Sequence, residues 1–489
     1  MRNWLSLGVL AMGSIATMTA ATIVNVALPS VTGALGLGQE EAQWLSTAFL
    51  VASTGFMLLN AWAVARWGMR ASFVLAMALF VSGSLAGAAA PDLSLLIAGR
   101  VMQGAGAGLI QPMALLVIYQ RFPEGVRGLA IGIYSLCVIV SPALGPVVGG
   151  ALIDAYDWRM VFVATAPLAA LAAMLGWRLL PRREKAPPVQ LDWIGLVLVM
   201  TALALLLQGL ACGSREGWDD PGAQLRLFGA AVTVAAFLAW EARYPFPVLN
   251  LRLFARPGFC VAGLAIFVTG AAVYGSTWLA PLFVQQVQHY SPAGAGEMLL
   301  PAGLVMAVCF PLAGRLSDRM DTRVLLATGA AMFAGSMLVL ADVGMQTEAA
   351  AVALALALGR GGIGVIMPAA NASAMRHGAG MLAAAAPAAT FLSQTGDALG
   401  VAILSALLQQ RTAFHADALT PLVNFDVMDV NVAPADASRA VWSAAQVLGF
   451  RDCFLVTGIW GLMLLPVGLA AGDRSNFTNR LKRALTLFR

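Results

Sequence analysis

The stretch FLSQTGDALGVAIL, residues 391–404, is apolar except for two hydroxyls, one amide and one acid, Asp397. It lies inside a longer apolar run, 384–408, and runs of about 20 such residues cross a hydrocarbon core of roughly 30 Å as helices. A carboxylate near the middle of a span costs roughly 2.5–3.5 kcal/mol on insertion scales. Residues kept against that cost mark interior polar sites, partners or ion paths. What Asp397 does therefore depends on how many spans there are and what else is buried in them.

Of 489 residues, 60% are hydrophobic and 11% charged, against about 25% charged in soluble domains. Mean hydropathy is +0.81. Apolar runs predict fourteen spans, at 5–28, 44–65, 71–90, 94–118, 128–152, 160–180, 193–211, 224–241, 258–284, 293–313, 324–342, 349–372, 384–408 and 452–472. The expected fold class is an all-α polytopic membrane protein. The first run, with Arg2 ahead of it, imitates a signal peptide, but it is longer than a signal core and ends at Pro29, so it reads as an uncleaved span.

With both termini in the cytoplasm, 21 of the 29 lysines and arginines fall inside and 6 outside, while Arg100 and Arg360 lie within spans. This is the positive-inside pattern of a cytoplasmic (inner) membrane protein. The net charge of +5 follows from that topology and does not signal nucleic-acid binding. Five cysteines are scattered without a CxxC, and the three histidines fall in connections. Neither a disulfide framework nor a metal site is expected. No GxxxxGK[ST] or HExxH motif is present, which removes an ATP-driven pump and a metalloprotease, and no cofactor is called for.

The chain repeats itself weakly. AWAVARWGMR (61–70) and GRLSDRMDTR (314–323) each close a span, and RVMQGAGAG (100–108) and RGGIGV (360–365) each put an arginine ahead of glycines. PALGPVVGG (142–150) carries Gly145 and Gly149, and TGDALGVA (395–402) carries Gly396 and Gly400. Spacing of four places each glycine pair on one helix face, where backbones can approach closely. Two related halves with an insertion between them indicate a transporter built from repeats.

ATIVNVALP (21–29), RVMQGAGAG, GPVVGG (145–150), WRMVFVATAP (158–167), LDWIGL (191–196) and GRLSDRMDTR occur in that order. Together they resemble the fourteen-span drug:proton antiporters of the major facilitator superfamily, the EmrB/QacA type. The resemblance covers essentially the whole chain. It implies two six-helix bundles, 1–185 and 251–473, joined by two extra spans in 186–250, with alternating access around a central cavity. A long external connection, 411–450, and a basic tail, 474–489, able to lie on anionic lipid, complete the expected layout. In the family GPVVGG marks antiporters, so Gly145, Pro146, Gly149 and Gly150 are hinge candidates, with simple glycine packing as the other reading. Gly314, Asp318, Arg319 and Arg323 form a candidate cytoplasmic latch, or a solvated loop.

Arg100 and Arg360 lie roughly 10 and 16 Å inside their spans at 1.5 Å per residue. The resemblance links Arg100 to proton transfer; bonding backbone carbonyls is the alternative. Asn25, Gln103, Gln111 and Gln394 are candidates to line the same cavity or to join helix to helix. Asp397 and Arg360 stand at similar depths on consecutive spans, which suggests a pair or alternating partners in which Asp397 titrates. A purely structural acid is the other reading. Glu297 and Glu241, at span ends, are expected to face interfacial water.

Two departures from the family pattern matter. Ala20 stands where an acid linked to proton coupling is usual, and Ala61 and Ala65 replace glycine and aspartate in the first charged turn. With two deep arginines and one deep acid, the expected substrates are neutral or anionic amphipathic compounds. The functional reading is proton-driven export of such compounds. A dedicated exporter of a siderophore or other metabolite, and a non-transporting sensor or scaffold, remain as alternatives. The near absence of lysine suggests a GC-rich bacterial source. With two membranes, the resemblance implies a periplasmic adaptor and an outer-membrane channel as partners.

Overall fold

The structure, a computed structural model, describes residues 2–182, 190–290, 292–317, 320–345, 347–422 and 434–470. The basic tail 474–489 lies outside the described residues. The first set of helices is α1 Arg2–Leu35, α2 Gln39–Leu58, α3 Asn60–Trp67, α4 Met69–Ala88, α5 Leu93–Arg121, α6 Glu124–Ala155, α7 Met160–Val163 and α8 Ala166–Leu179. Two more follow, α9 Trp193–Glu216 and α10 Pro221–Glu241. The last set is α11 Pro257–Gln286, α12 Pro292–Ser317, α13 Thr322–Ala341, α14 Ala349–His377, α15 Leu382–Leu419 and α16 Pro434–Ala470.

Among the described residues, 12 helices are long and apolar enough to cross a membrane, or 13 if the bent pair α2–α3 is one span. The 32-residue α6 stands in the fifth place. Aspartates mark several starts: Asp92, Asp192, Asp220 and Asp321 each accept a backbone N–H from the first turn of the helix that follows, filling donors that have no intrahelical partner. The expected end of the first span at Pro29 does not occur. α1 runs through Pro29 to Leu35, and the proline removes only the bond to the Asn25 carbonyl one turn back.

In the first set α6 lies along α1, and α5 is held between α2 and α4. In the last set α15 lies along α11, and α14 packs on α12 and α13. α9 touches both sets, α2 on one side and α15 on the other. Gln208 Nε2 donates to Thr47 Oγ1 at 3.4 Å across the first of these contacts. α10 packs on α9 and leaves most of its surface exposed, as a lipid-facing helix does.

The two sets meet at the end of the bundle where Arg70, Arg121, Arg178, Arg252, Arg315 and Arg376 stand at or near element ends, called here the arginine-rich end. There α6 crosses α12 backbone to backbone. A Cβ on Gly314 would fall on the Gly128 carbonyl oxygen, and one on Gly132 on that of Phe310. Tyr119 Oη also donates to the Ala372 carbonyl at 3.0 Å, from α5 to α14. At the opposite end Asn25 and Pro29 on α1 and Val148 on α6 are exposed.

The expected connection 411–450 is mostly helix. α15 continues to Leu419 and α16 begins at Pro434, while 423–433 lies outside the described residues. Asp452 accepts from His415 Nε2 at 2.8 Å and from Arg411 Nε. Arg411 and His415 are four residues apart and so share a helix face; the Arg411–Asp452 ion pair and the His415 hydrogen bond tie the two extended helices together.

Candidate transport site

A narrow cavity of about 50 Å³ lies where the two sets meet, with room for a water or two. Met18 of α1, Gln111 and Leu115 of α5, and Tyr134 and Ser135 of α6 line one wall. Tyr274 of α11, Met367 and Asn371 of α14, and Ser393, Gln394 and Asp397 of α15 line the other. Three expected residues, Gln111, Gln394 and Asp397, are thus brought together. Gln111 Nε2 donates to Met18 Sδ at 3.5 Å, and Tyr134 Oη shares a hydrogen bond with Ser14 Oγ at 2.8 Å.

Asp397 is 8% exposed, and its Oδ1 has no hydrogen-bond partner. The carboxyl fits because residue 270 of α11 is glycine: a Cβ there would sit 2.6 Å from Asp397 Oδ1. The expected pair with Arg360 is not formed. Arg360 Nη1 donates to Thr277 Oγ1 at 2.8 Å and to the Val273 carbonyl at 3.4 Å. Those anchors lie three and seven residues beyond Gly270, about 5 and 10 Å along α11. The similar depth expected from the sequence therefore did not make the two side chains partners.

Arg100 and Gln103 form a separate cluster. Gly104 and Gly108 bring α5 against the α2 backbone, and Gly99 and Gly106 bring it against α4, enclosing Arg100 at 0% exposure. Its Nε donates to the Leu45 carbonyl at 2.8 Å, and its Nη1 to the Ala20 carbonyl at 3.1 Å and Gln103 Oε1 at 3.0 Å. Gln103 Nε2 in turn donates to Ser84 Oγ at 2.8 Å. Arg100 Nη2 is buried with no hydrogen-bond partner. Arg100 thus bonds backbone carbonyls, one of them that of Ala20. Asn25 stands apart, exposed, accepting from Ser46 Oγ at 2.8 Å.

The glycines of GPVVGG divide. A Cβ on Gly145 would meet Ile23 N at 2.8 Å as well as the Thr22 hydroxyl, and one on Gly149 would meet the Ile23 side chain at 2.8 Å, whereas Gly150 faces open space. Of the latch residues, Asp318 and Arg319 lie outside the described residues. Gly314 makes the α6 crossing, and Arg323 N donates to Asp321 Oδ1 at 3.0 Å. Arg376, not among the expected residues, holds the turn from α14 through the Ser317 carbonyl at 3.4 Å and Thr322 Oγ1. Glu297 is exposed as expected, but Glu241 is not: it is 3% exposed.

Tyr134 and Tyr274 were also missed. The chain has only 6 tyrosines, and tyrosines of membrane proteins gather at the interfaces. A tyrosine in mid-span was the available signal of a polar interior.

A helical bundle in two sets, closed at one end around a polar cavity at their junction, defines a transporter fold. Residues 10–404 match the Major Facilitator Superfamily, and the chain belongs to that family. It is 29% identical over 465 residues to the fatty acid resistance protein FarB of Neisseria gonorrhoeae, covering 91% of each chain. It is 32% identical over 307 residues, 62% of this chain and 60% of the other, to the multidrug export protein EmrB of Haemophilus influenzae. The human organic anion transporter MFSD10 has the same fold, with a TM-score of 0.64 at 15% identity over 95% of this chain and 99% of that one.

Proposed function

We propose that this protein exports small amphipathic compounds by proton antiport, with alternating access and with Asp397 carrying the coupled proton. The reading rests on one observation. Asp397 is a buried carboxyl on the wall of the cavity between the two sets, with one oxygen unpartnered and no ion pair among the described residues. Its protonation must follow the access of water to that cavity, which is what coupling requires.

On this reading the arginine-rich end faces the cytoplasm of a bacterial inner membrane, and both termini lie inside. The contacts at that end would then correspond to an outward-facing state. Rocking about the α6–α1 contact at Gly145, Pro146 and Gly149 would open the other side. The bundles would extend over 1–185 and 251–473. Neutral or anionic compounds are favoured over cations, because Arg100 and Arg360 outnumber Asp397 and because FarB, named for fatty acid resistance, is similar along nearly the whole chain. The extended α15–α16 pair offers the surface for a periplasmic adaptor and, through it, an outer-membrane channel.

Proton release on adding candidate substrates to the purified protein tests the core of the proposal. Long-chain fatty acids or neutral amphiphiles should release protons from the wild type and none from Asp397→Asn. Equal release from both proteins would remove Asp397 from the coupling step, and release only by cationic dyes would overturn the substrate class.

A further inference from the structure

At the arginine-rich end of the two inserted helices, two carboxyl groups meet that the transport reading does not use. Asp192, just before α9, is 2% exposed, and Glu241, the last residue of α10, is 3% exposed. One oxygen of each is satisfied. Asp192 Oδ1 accepts from Gly195 N at 2.8 Å and Trp240 Nε1 at 2.9 Å, and Glu241 Oε2 accepts from Leu249 N at 3.2 Å. The other two, Asp192 Oδ2 and Glu241 Oε1, are buried with no hydrogen-bond partner. They point at one spot: a Cβ on Gly195 would lie 2.5 Å from each.

Neither carboxyl forms an ion pair among the described residues. The ionisable side chains just after α10 are Arg243, which is exposed, and Tyr244, whose ring stacks on Trp240 at 5.4 Å. α2 and α15, which pack on α9, carry no ionisable residue over 49–58 and 382–396, their segments toward this end. Two ionised carboxylates have only acceptors and repel each other out of water, whereas a protonated carboxyl is a donor.

We propose that Asp192 and Glu241 hold one proton between Oδ2 and Oε1, so that the pair carries a single negative charge. This shared proton clamps α9 to α10 and, through Leu249, to the chain that enters the second half. Because α9 touches both halves, the clamp fixes the strut on which they ride. It is distinct from the transported proton, since Asp397 lies in the central cavity.

Infrared spectroscopy of the full-length protein in an Asp397→Asn background tests this. A protonated-carboxyl band should be present and should vanish with either Asp192→Asn or Glu241→Gln. Thermal denaturation gives a second readout. A proton held in the folded state but not in the unfolded one stabilises at low pH, and that stability is lost as pH rises. The wild-type melting temperature should fall by a few degrees toward alkaline pH. Glu241→Gln should hold nearly level, because its amide N–H supplies the missing hydrogen permanently. If Glu241→Gln does not fold, Asp192→Asn serves, since its Oδ1 still accepts both bonds. A band untouched by either substitution overturns the proposal. So does stability that follows sodium or potassium concentration instead of pH, which would place a metal cation between the oxygens.

Discussion

Each half of the molecule lays a glycine-bearing helix along its first helix, α6 on α1 and α15 on α11, and the two contacts use the same spacing for different ends. Gly145 and Gly149 meet Thr22 and Ile23; Gly396 and Gly400 meet Phe267 and Ala271. The residue after the first glycine is Pro146 in one half and Asp397 in the other. The accommodating glycine also changes sides. In the first half Gly145 of α6 makes room for the Thr22 hydroxyl of α1, whereas in the second Gly270 of α11 makes room for the carboxyl of α15. One contact is a packed joint in which a proline frees a carbonyl. The other is a slot holding an acid. The repeat supplies close backbone approach, and on the proposed function the side chains placed in it divide movement from chemistry.

The most severe way to break that division is Asp397→Asn, which keeps the shape of the slot and removes the titrating group. Gradient-driven efflux from proteoliposomes should fall to background and lose its pH dependence, while substrate exchange without a gradient continues. The matching change in the first half, Pro146→Ala, should alter the rate and leave the proton-to-substrate ratio unchanged. If both variants lose coupling equally, the two contacts do not differ in role.

A smaller effect separates the glycines. A Cβ at 400 would meet the rigid backbone of Ala271, whereas one at 149 would first meet the movable Ile23 side chain. Gly400→Ala should therefore destabilise by about 1–3 kcal/mol, the usual effect of overpacking. Gly149→Ala should cost under about 1 kcal/mol after Ile23 turns aside. Thermal denaturation of the two variants in detergent checks the order.

This contrast shows what a linear reading can reach. The glycine pairs, Asp397 and Gln394 were legible because span periodicity fixes depth and places glycines four apart on one face. Facing direction was not legible. Arg360 was expected at the depth of Asp397, yet its guanidinium bonds Thr277, seven residues along α11 from the Gly270 slot, and nothing in either span encodes that offset. Pairings between distant residues were hidden for the same reason. Arg411 and Asp452 are 41 residues apart, so the stretch between them read as a long connection and not as two helices tied together. Glu241 looked interfacial because its partners, Asp192 and Leu249, lie in other segments.

Ala20 gives a way to make the halves more alike. Arg100 Nη2 has no hydrogen-bond partner, and its neighbour Nη1 donates to the Ala20 carbonyl. Ala20→Asp puts a carboxylate next to it and adds a second deep acid to the transporter. Export should shift toward cationic dyes relative to fatty acids by about tenfold, equivalent to roughly 1.4 kcal/mol, as measured by competition in proteoliposomes. An unchanged preference would mean that deep charge does not set selectivity.

The mildest test asks whether the joint or the side chains keep the arginine-rich end shut. The α6–α12 crossing there is glycine on backbone, and Tyr119 adds one neutral hydrogen bond from α5 to the Ala372 carbonyl of α14. Tyr119→Phe keeps the ring, over which the Arg127 guanidinium lies at 5.2 Å, and removes the hydroxyl that donates to Ala372. Such a bond contributes about 0.5–1.5 kcal/mol. Because it exists only while this end is closed, its loss should raise the population of the opposite state by roughly 2- to 13-fold. Spin labels at the exposed positions Arg66 and Arg315 would report that state as a longer distance, with the folded fraction unchanged. A distance distribution identical to that of the wild type would show that closure does not need the Tyr119 hydroxyl, and the first place to open the transporter would then be the glycine crossing at Gly314.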